Sequence, residues 1–113
     1  MLARPNRLTR GADYKAVVRR GRRSAGAHTI TYVRTTGESD AVRFGFIVSK
    51  QVGGAVVRNT VRRRLKAVSA ASLADSQVDA GTDVVIRALP SAATAPYVEL
   101  RDDVTRSLSR VRA

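Results

Sequence analysis

The chain is 113 residues long, which suits one domain with a modest core and is too short for two. With 43% hydrophobic and 27% charged residues it is too apolar for a wholly disordered basic tail, and the absence of cysteine excludes a disulfide scaffold and thiolate metal sites and agrees with a cytoplasmic setting. A formal charge of +12 calls for a polyanionic partner, nucleic acid first, because like-charge repulsion is otherwise uncompensated.

The charge is unevenly spread. Residues 1–71 hold 16 Lys/Arg against 3 Asp/Glu, whereas residues 72–113 hold 5 against 6, so the positive field belongs to the first two thirds. Residues 1–10 read as a loosely held basic arm, charged where a secretory signal needs an apolar stretch, and no window approaches the roughly 18 apolar residues of a membrane span. Residues 11–20 read as a short helix with Tyr14, Val17 and Val18 on one side and Gly21 placed to stop it. HTITYVRT, residues 28–35, is rich in β-branched side chains and reads as a strand, with TTGESD as the following turn. In AVRFGFIVS, residues 41–49, Val42, Phe44, Phe46 and Val48 fall on one side of a strand and Arg43, Gly45, Ile47 and Ser49 on the other, giving a core face opposite a mostly polar one.

After QVGGA the periodicity turns helical. In VVRNTVRRRLKAVSAASLA, Val61, Leu65 and Val68 form an apolar stripe, and Arg58, Arg62 and Lys66 recur every four residues beside it, with Arg63 and Arg64 widening the cationic side. Asn59 reads as the N-cap of this helix. Five cations in the nine residues from Arg58 to Lys66 make the segment the leading nucleic-acid contact. TDVVIRAL, residues 82–89, is a compact apolar run suited to a well-buried strand ended by Pro90, and a last helix starting near Pro96 carries Tyr97, Leu100, Val104, Leu108 and Val111 on one face. The order α-β-β-α-β-α predicts an α+β fold, a small two-layer α/β sandwich with the helices on one face of a mixed sheet.

Chemistry of the chain's own is not expected. Metal or acid/base catalysis needs convergent His, Cys, Asp or Glu, and there is one histidine, His28, placed just before a strand. Asp75, Asp79, Asp83, Asp102 and Asp103 are scattered, and the last two, as neighbours on a helix, point in different directions. No phosphate-binding glycine loop occurs. The expectation is no catalytic residue and no protein-held metal. A binding module such as a ribosomal-type protein uses the same sort of basic helix.

VSKQVGGAVVRNTVRRRLKA resembles the signature region of the bacterial ribonuclease P protein family, in which Val48, Ser49, Lys50, Gly53, Ala55, Val56, Arg58, Asn59 and Arg63 match as they stand, and Arg62 and Lys66 are conservative replacements. RLTRGADYKAVVRRG resembles that family's first helix, and Val18 and Gln51 depart from its usual phenylalanine and lysine. The resemblance implies a ferredoxin-like variant of the ribosomal protein S5 domain 2-like kind, with room for an extra short strand and a left-handed crossover through the basic helix. It also implies a non-catalytic protein subunit of an endoribonuclease whose large RNA removes the 5′ leader of precursor tRNA using Mg2+ held mainly by RNA. The partners implied are ribonuclease P RNA and precursor tRNA, with no membrane and no obligate protein partner. Carried over by residue, the RNA subunit is met by Arg58, Asn59, Arg62, Arg63 and Lys66, and the leader by Tyr14, Val18, Tyr32, Arg43, Ser49 and Lys50.

Overall fold

The most apolar run of the chain takes the centre of the sheet. In the computed structural model, which describes residues 2–112, strand β4 (Thr82–Ala88) lies between β2 (Thr29–Thr35), to which it is antiparallel, and β3 (Arg43–Ile47), to which it is parallel. The short edge strand β1 (Arg22–Ala25) pairs antiparallel with β2, so the order is β1-β2-β4-β3. Two neighbouring parallel strands need a long crossover, and α2 (Ala55–Ala74) supplies it between β3 and β4. Helix α1 (Gly11–Arg20) precedes the sheet, and α3 (Tyr97–Arg112) follows it after a 3-10 turn at Pro90–Ala93. The observed order adds the short strand β1 to the predicted elements. RRSA has no β-branched side chain to announce it, and its extended form comes from pairing with β2.

A strand as apolar as β4 needs cover on both faces. On one face Phe44, Val84 and Ile86 join Val61, Leu65 and Val68 of α2 and Leu100, Val104 and Leu108 of α3 in the main core. On the other, Val17 of α1 packs with Leu8, Tyr32 and Val85, flanked by Tyr14, Val18, Ile30 and Ile47. This corrects two expectations. The helices do not all share one face, because α1 covers the second, and the reverse side of β3 is not mostly polar, because Gly45 is buried and Ile47 packs in the smaller cluster.

The amino-terminal segment also departs from the loosely held arm expected of residues 1–10; Met1 lies outside the described residues. Leu2 and Leu8 are buried, the Leu8 amide donates to the Phe44 carbonyl at 2.9 Å, and Asn6 Nδ2 donates to the Val42 carbonyl at 2.8 Å. Two leucines spaced to reach the core lay this basic stretch along β3. Helix α1 does end at Gly21, but the glycine is needed for closeness and not for a left-handed turn: its φ is −77°, and a Cβ there would stand 2.9 Å from the Val33 carbonyl oxygen.

Asp103, on the buried side of α3, fastens that helix to the β1–β2 turn. Its carboxylate accepts from Thr29 Oγ1 at 2.7 Å and from the amides of Ala27 and His28 at 2.8 and 3.1 Å. Burial opposes its ionisation, yet these donors together outweigh burial and hold the group below the usual aspartate value of 3.8. Asp102 points outward to Arg101, as adjacent helical positions require. No helix among the described residues is long and apolar enough to cross a membrane.

Candidate nucleic-acid interface

Val61, Leu65 and Val68 are fully buried, and this fixes the rotation of α2 about its axis. The helical repeat then turns Asn59, Arg63 and Lys66 to solvent, with Arg58 and Arg62 half-buried beside them. Asn59, Thr60, Arg62, Arg63 and Lys66 border a shallow hollow of about 410 Å³. Within it Arg62 Nη1 donates to Asn59 Oδ1 at 3.1 Å and Arg63 Nη2 to Thr60 Oγ1 at 3.4 Å. Among the described residues no carboxylate forms an ion pair with Arg58, Arg62, Arg63 or Lys66. Their charge is therefore available to a phosphate backbone.

Two details of this helix differ from expectation. Asn59 is not the N-cap: α2 starts a turn earlier, with Gly54 at the cap, because nothing in AVVR breaks a helix once the Gly53-Gly54 turn is passed. The Asn59 side chain is left free to orient Arg62. Arg64 does not widen the cationic side, since it lies toward α3 and donates Nη1 to the Ala95 carbonyl at 3.0 Å. The basic surface instead grows sideways, where Arg62 and Lys66 border a second hollow with Arg7, Thr9, Tyr14 and Phe46.

Across the sheet, α1 leaves a cleft of about 190 Å³ lined by Tyr14, Lys15, Val18, Arg19, Ile47 and Arg87. Tyr14 is seated by its hydroxyl, which donates to the Leu8 carbonyl at 3.3 Å and accepts from the Phe46 amide at 3.2 Å. Its ring lies so close over Gly45 that a Cβ there would stand 2.6 Å from Tyr14 Cζ. Of the residues carried over as leader contacts, the cleft unites Tyr14 and Val18. Tyr32 is buried under α1, its neighbours Val17 and Val85, and is no open stacking platform. Arg43 is bound inward: Nε and Nη2 donate to Asp83 at 2.9 and 2.7 Å, Asp13 stands 3.6 Å away, and the hydrogen bond to Asp83 raises the arginine's pKa further. Ser49 and Lys50 are exposed on the turn after β3 and do not line the cleft. Sequence reasoning passed over Lys15, Arg19 and Arg87. The available signal was Arg87 itself, a lone cation in an apolar strand, whose register partners Ile30 and Ile47 place it on the α1 side.

The family model described as Ribonuclease P matches residues 2–112. The chain belongs to the ribonuclease P protein family. It is 46% identical over 110 residues to the ribonuclease P protein component of Clavibacter michiganensis, covering 97% of this chain and 96% of that one. To the protein component of Acidothermus cellulolyticus it is 46% identical over 112 residues, covering 98% and 92%. Among solved structures, the RNase P protein of Staphylococcus aureus superposes with a TM-score of 0.81 at 24% identity over 93% of this chain and 94% of that one. That of Thermotoga maritima gives a TM-score of 0.80 at 18% identity over 95% and 98%. These likenesses show that the ribonuclease P protein fold is kept.

Among the described residues no three of His, Cys, Asp and Glu gather where they could hold a metal ion, and the α2 surface is cationic.

Proposed function

We propose that the chain is the protein subunit of a ribonuclease P that matures the 5′ ends of tRNAs, docking on the ribonuclease P RNA through α2 and holding the 5′ leader of precursor tRNA in the α1 cleft. The observation that carries the reading is the row Arg58, Arg62, Arg63 and Lys66 beside a buried valine and leucine stripe, with Arg63 and Lys66 turned to solvent, Arg58 and Arg62 half-buried next to them, and none paired with a carboxylate among the described residues. Guanidinium forks on a rigid helix meet phosphates with little further ordering, and the counterions they displace supply affinity. Asn59 holds Arg62 in position from one turn back.

On the leader side, the edge of the Tyr14 ring, Val18 and Ile47 offer an apolar wall for an unstacked base, and Lys15, Arg19 and Arg87 offer cations to the strand's phosphates. Arg43 supports the cleft from below by locking β3 and β4 to α1 through Asp83 and Asp13. Bond cleavage, and the magnesium it needs, belong to the RNA in this reading, in keeping with a surface of α2 that presents cations and, among the described residues, no cluster of acidic or histidine side chains. The protein's part is to bring leader and ribozyme together and to screen their mutual repulsion.

The test is reconstitution. Adding the purified chain to ribonuclease P RNA and precursor tRNA at low magnesium is expected to stimulate release of the 5′ leader. No stimulation, with the chain folded and the RNA active at high magnesium, would remove the basis of the proposal.

A further inference from the structure

A further cavity belongs to neither surface. It holds about 420 Å³, within the range of small-ligand sites, where the C-terminal ends of α1 and α3 meet β2 and the loop that follows α2. No residue lining it is shared with the hollow on α2 or with the α1 cleft. From Arg62 to the end of α2 at Ala74 the helix rises about 18 Å, so a ligand here is well separated from the docking row.

Three features define its chemistry. Arg20, Arg22 and Arg34 stand at its rim, and no carboxylate among the described residues pairs with them; the one acidic side chain in the lining, Asp79, is already held by Arg112 at 2.8 Å. The floor is aliphatic, made by Val33, Val78, Leu108 and Val111. Gln77 also lines the cavity, and its side-chain oxygen is closed off from solvent while the cavity is empty and receives no hydrogen bond. A buried acceptor without a donor is costly, and a ligand N–H removes that cost. A simple anion satisfies the arginines and leaves the floor and Gln77 unmatched. A nucleotide satisfies all three: phosphate at the rim, the flat base on the aliphatic floor, and an amino or ring N–H on Gln77.

We propose that this cavity is a second, separate binding site that takes one nucleotide, phosphate outward and base inward. The nucleotide comes either from an unpaired position of an RNA strand or from the free pool, and the site does not depend on α2 docking RNA. The probe is adenosine 5′-monophosphate, titrated into the full chain at constant ionic strength while the methyl resonances of Val33, Val78 and Leu108 are followed by NMR. Saturable shifts are expected there, with inorganic phosphate at least about tenfold weaker. Arg20→Glu with Arg34→Glu is expected to weaken nucleotide binding by about tenfold or more with the spectrum otherwise that of the folded chain. Gln77→Leu, which keeps every charge, is expected to weaken the nucleotide and leave phosphate unchanged. Adding ribonuclease P RNA first separates the sources: loss of the nucleotide shifts means that an RNA nucleotide fills the cavity, and retention means that the occupant is free nucleotide. Arg58→Ala with Arg62→Ala should leave these shifts intact, so failure of the α2 reading stays distinguishable. Equal effects of phosphate and nucleotide, no shifts at the three residues, or nucleotide affinity indifferent to both cavity variants would overturn the proposal.

Discussion

The outer face of α2 and the cleft beneath α1 are both basic, but they are built in opposite ways. On α2 one continuous helix supplies cations and the apolar stripe that aims them, so each arginine's direction follows from its spacing to Val61 and Leu65. The cleft draws Tyr14 and Val18 from α1, Ile47 from β3 and Arg87 from β4, and it exists because the sheet brings together residues as many as 73 positions apart. Charge on the helix is left free. Charge around the cleft is divided between open cations and Arg43, which is spent on Asp83 and Asp13. A basic residue's role thus depends on whether a carboxylate reaches it, which composition does not reveal.

Substitutions that separate the two regions test this contrast. The largest effect is expected from Arg58→Ala with Arg62→Ala, which should lower affinity for ribonuclease P RNA about a hundredfold, or about 2.7 kcal/mol. Lys15→Ala with Arg87→Ala should leave that affinity nearly unchanged and weaken precursor tRNA binding by the assembled particle; filter binding of each RNA reads both. Equal losses on both RNAs from both variants would erase the distinction. Gly45→Ala should lower stability by about 2 kcal/mol in denaturant unfolding, because the new methyl group meets the Tyr14 ring and two backbones leave little room to retreat.

Asp103 lies away from both surfaces and provides a baseline. Its carboxyl is lower in the folded chain than its ordinary 3.8, so its contribution is fully present above that pH and is lost as pH falls through the folded value. Asp103→Asn should cost about 1 to 2 kcal/mol near neutrality, flatten the loss of stability below about pH 4, and leave RNA affinity alone. An unaltered acid limb would contradict the hydrogen-bonding role given to the carboxylate. Tyr14→Phe should have the smallest effect, about 1 kcal/mol of stability from the two bonds at its hydroxyl, with the ring still in place. If leader binding fell as far as in the Lys15 and Arg87 variant, the hydroxyl would be contacting RNA and not only the Leu8 and Phe46 backbone.

The same contrast explains what the sequence made legible. Helices α1, α2 and α3 and strands β2, β3 and β4 follow from periodicity and punctuation, and the signature from Val48 to Lys66 leads to the family because its spacing is confined to one short stretch of chain. Long-range pairing is what local pattern does not carry. β1 needs its partner to be a strand, and the amino-terminal arm needs β3 to bury Leu2 and Leu8. Arg43 reads as an open cation until β4 sets Asp83 beside it, and Arg64 reads as part of the basic row until the turn before α3 presents the Ala95 carbonyl. The Asn59 cap fails for a local reason, a helix that begins earlier than its first strong polar signal.

The central claim is that α2 offers unpaired charge to a folded RNA, and its most direct test is the salt dependence of binding to ribonuclease P RNA. The slope of log affinity against log salt should be shallower by about 2 in the Arg58→Ala, Arg62→Ala chain than in the unaltered one, because two fewer phosphate contacts release fewer counterions. Identical slopes would mean that these arginines do not touch the RNA backbone, and the account of α2 would be wrong.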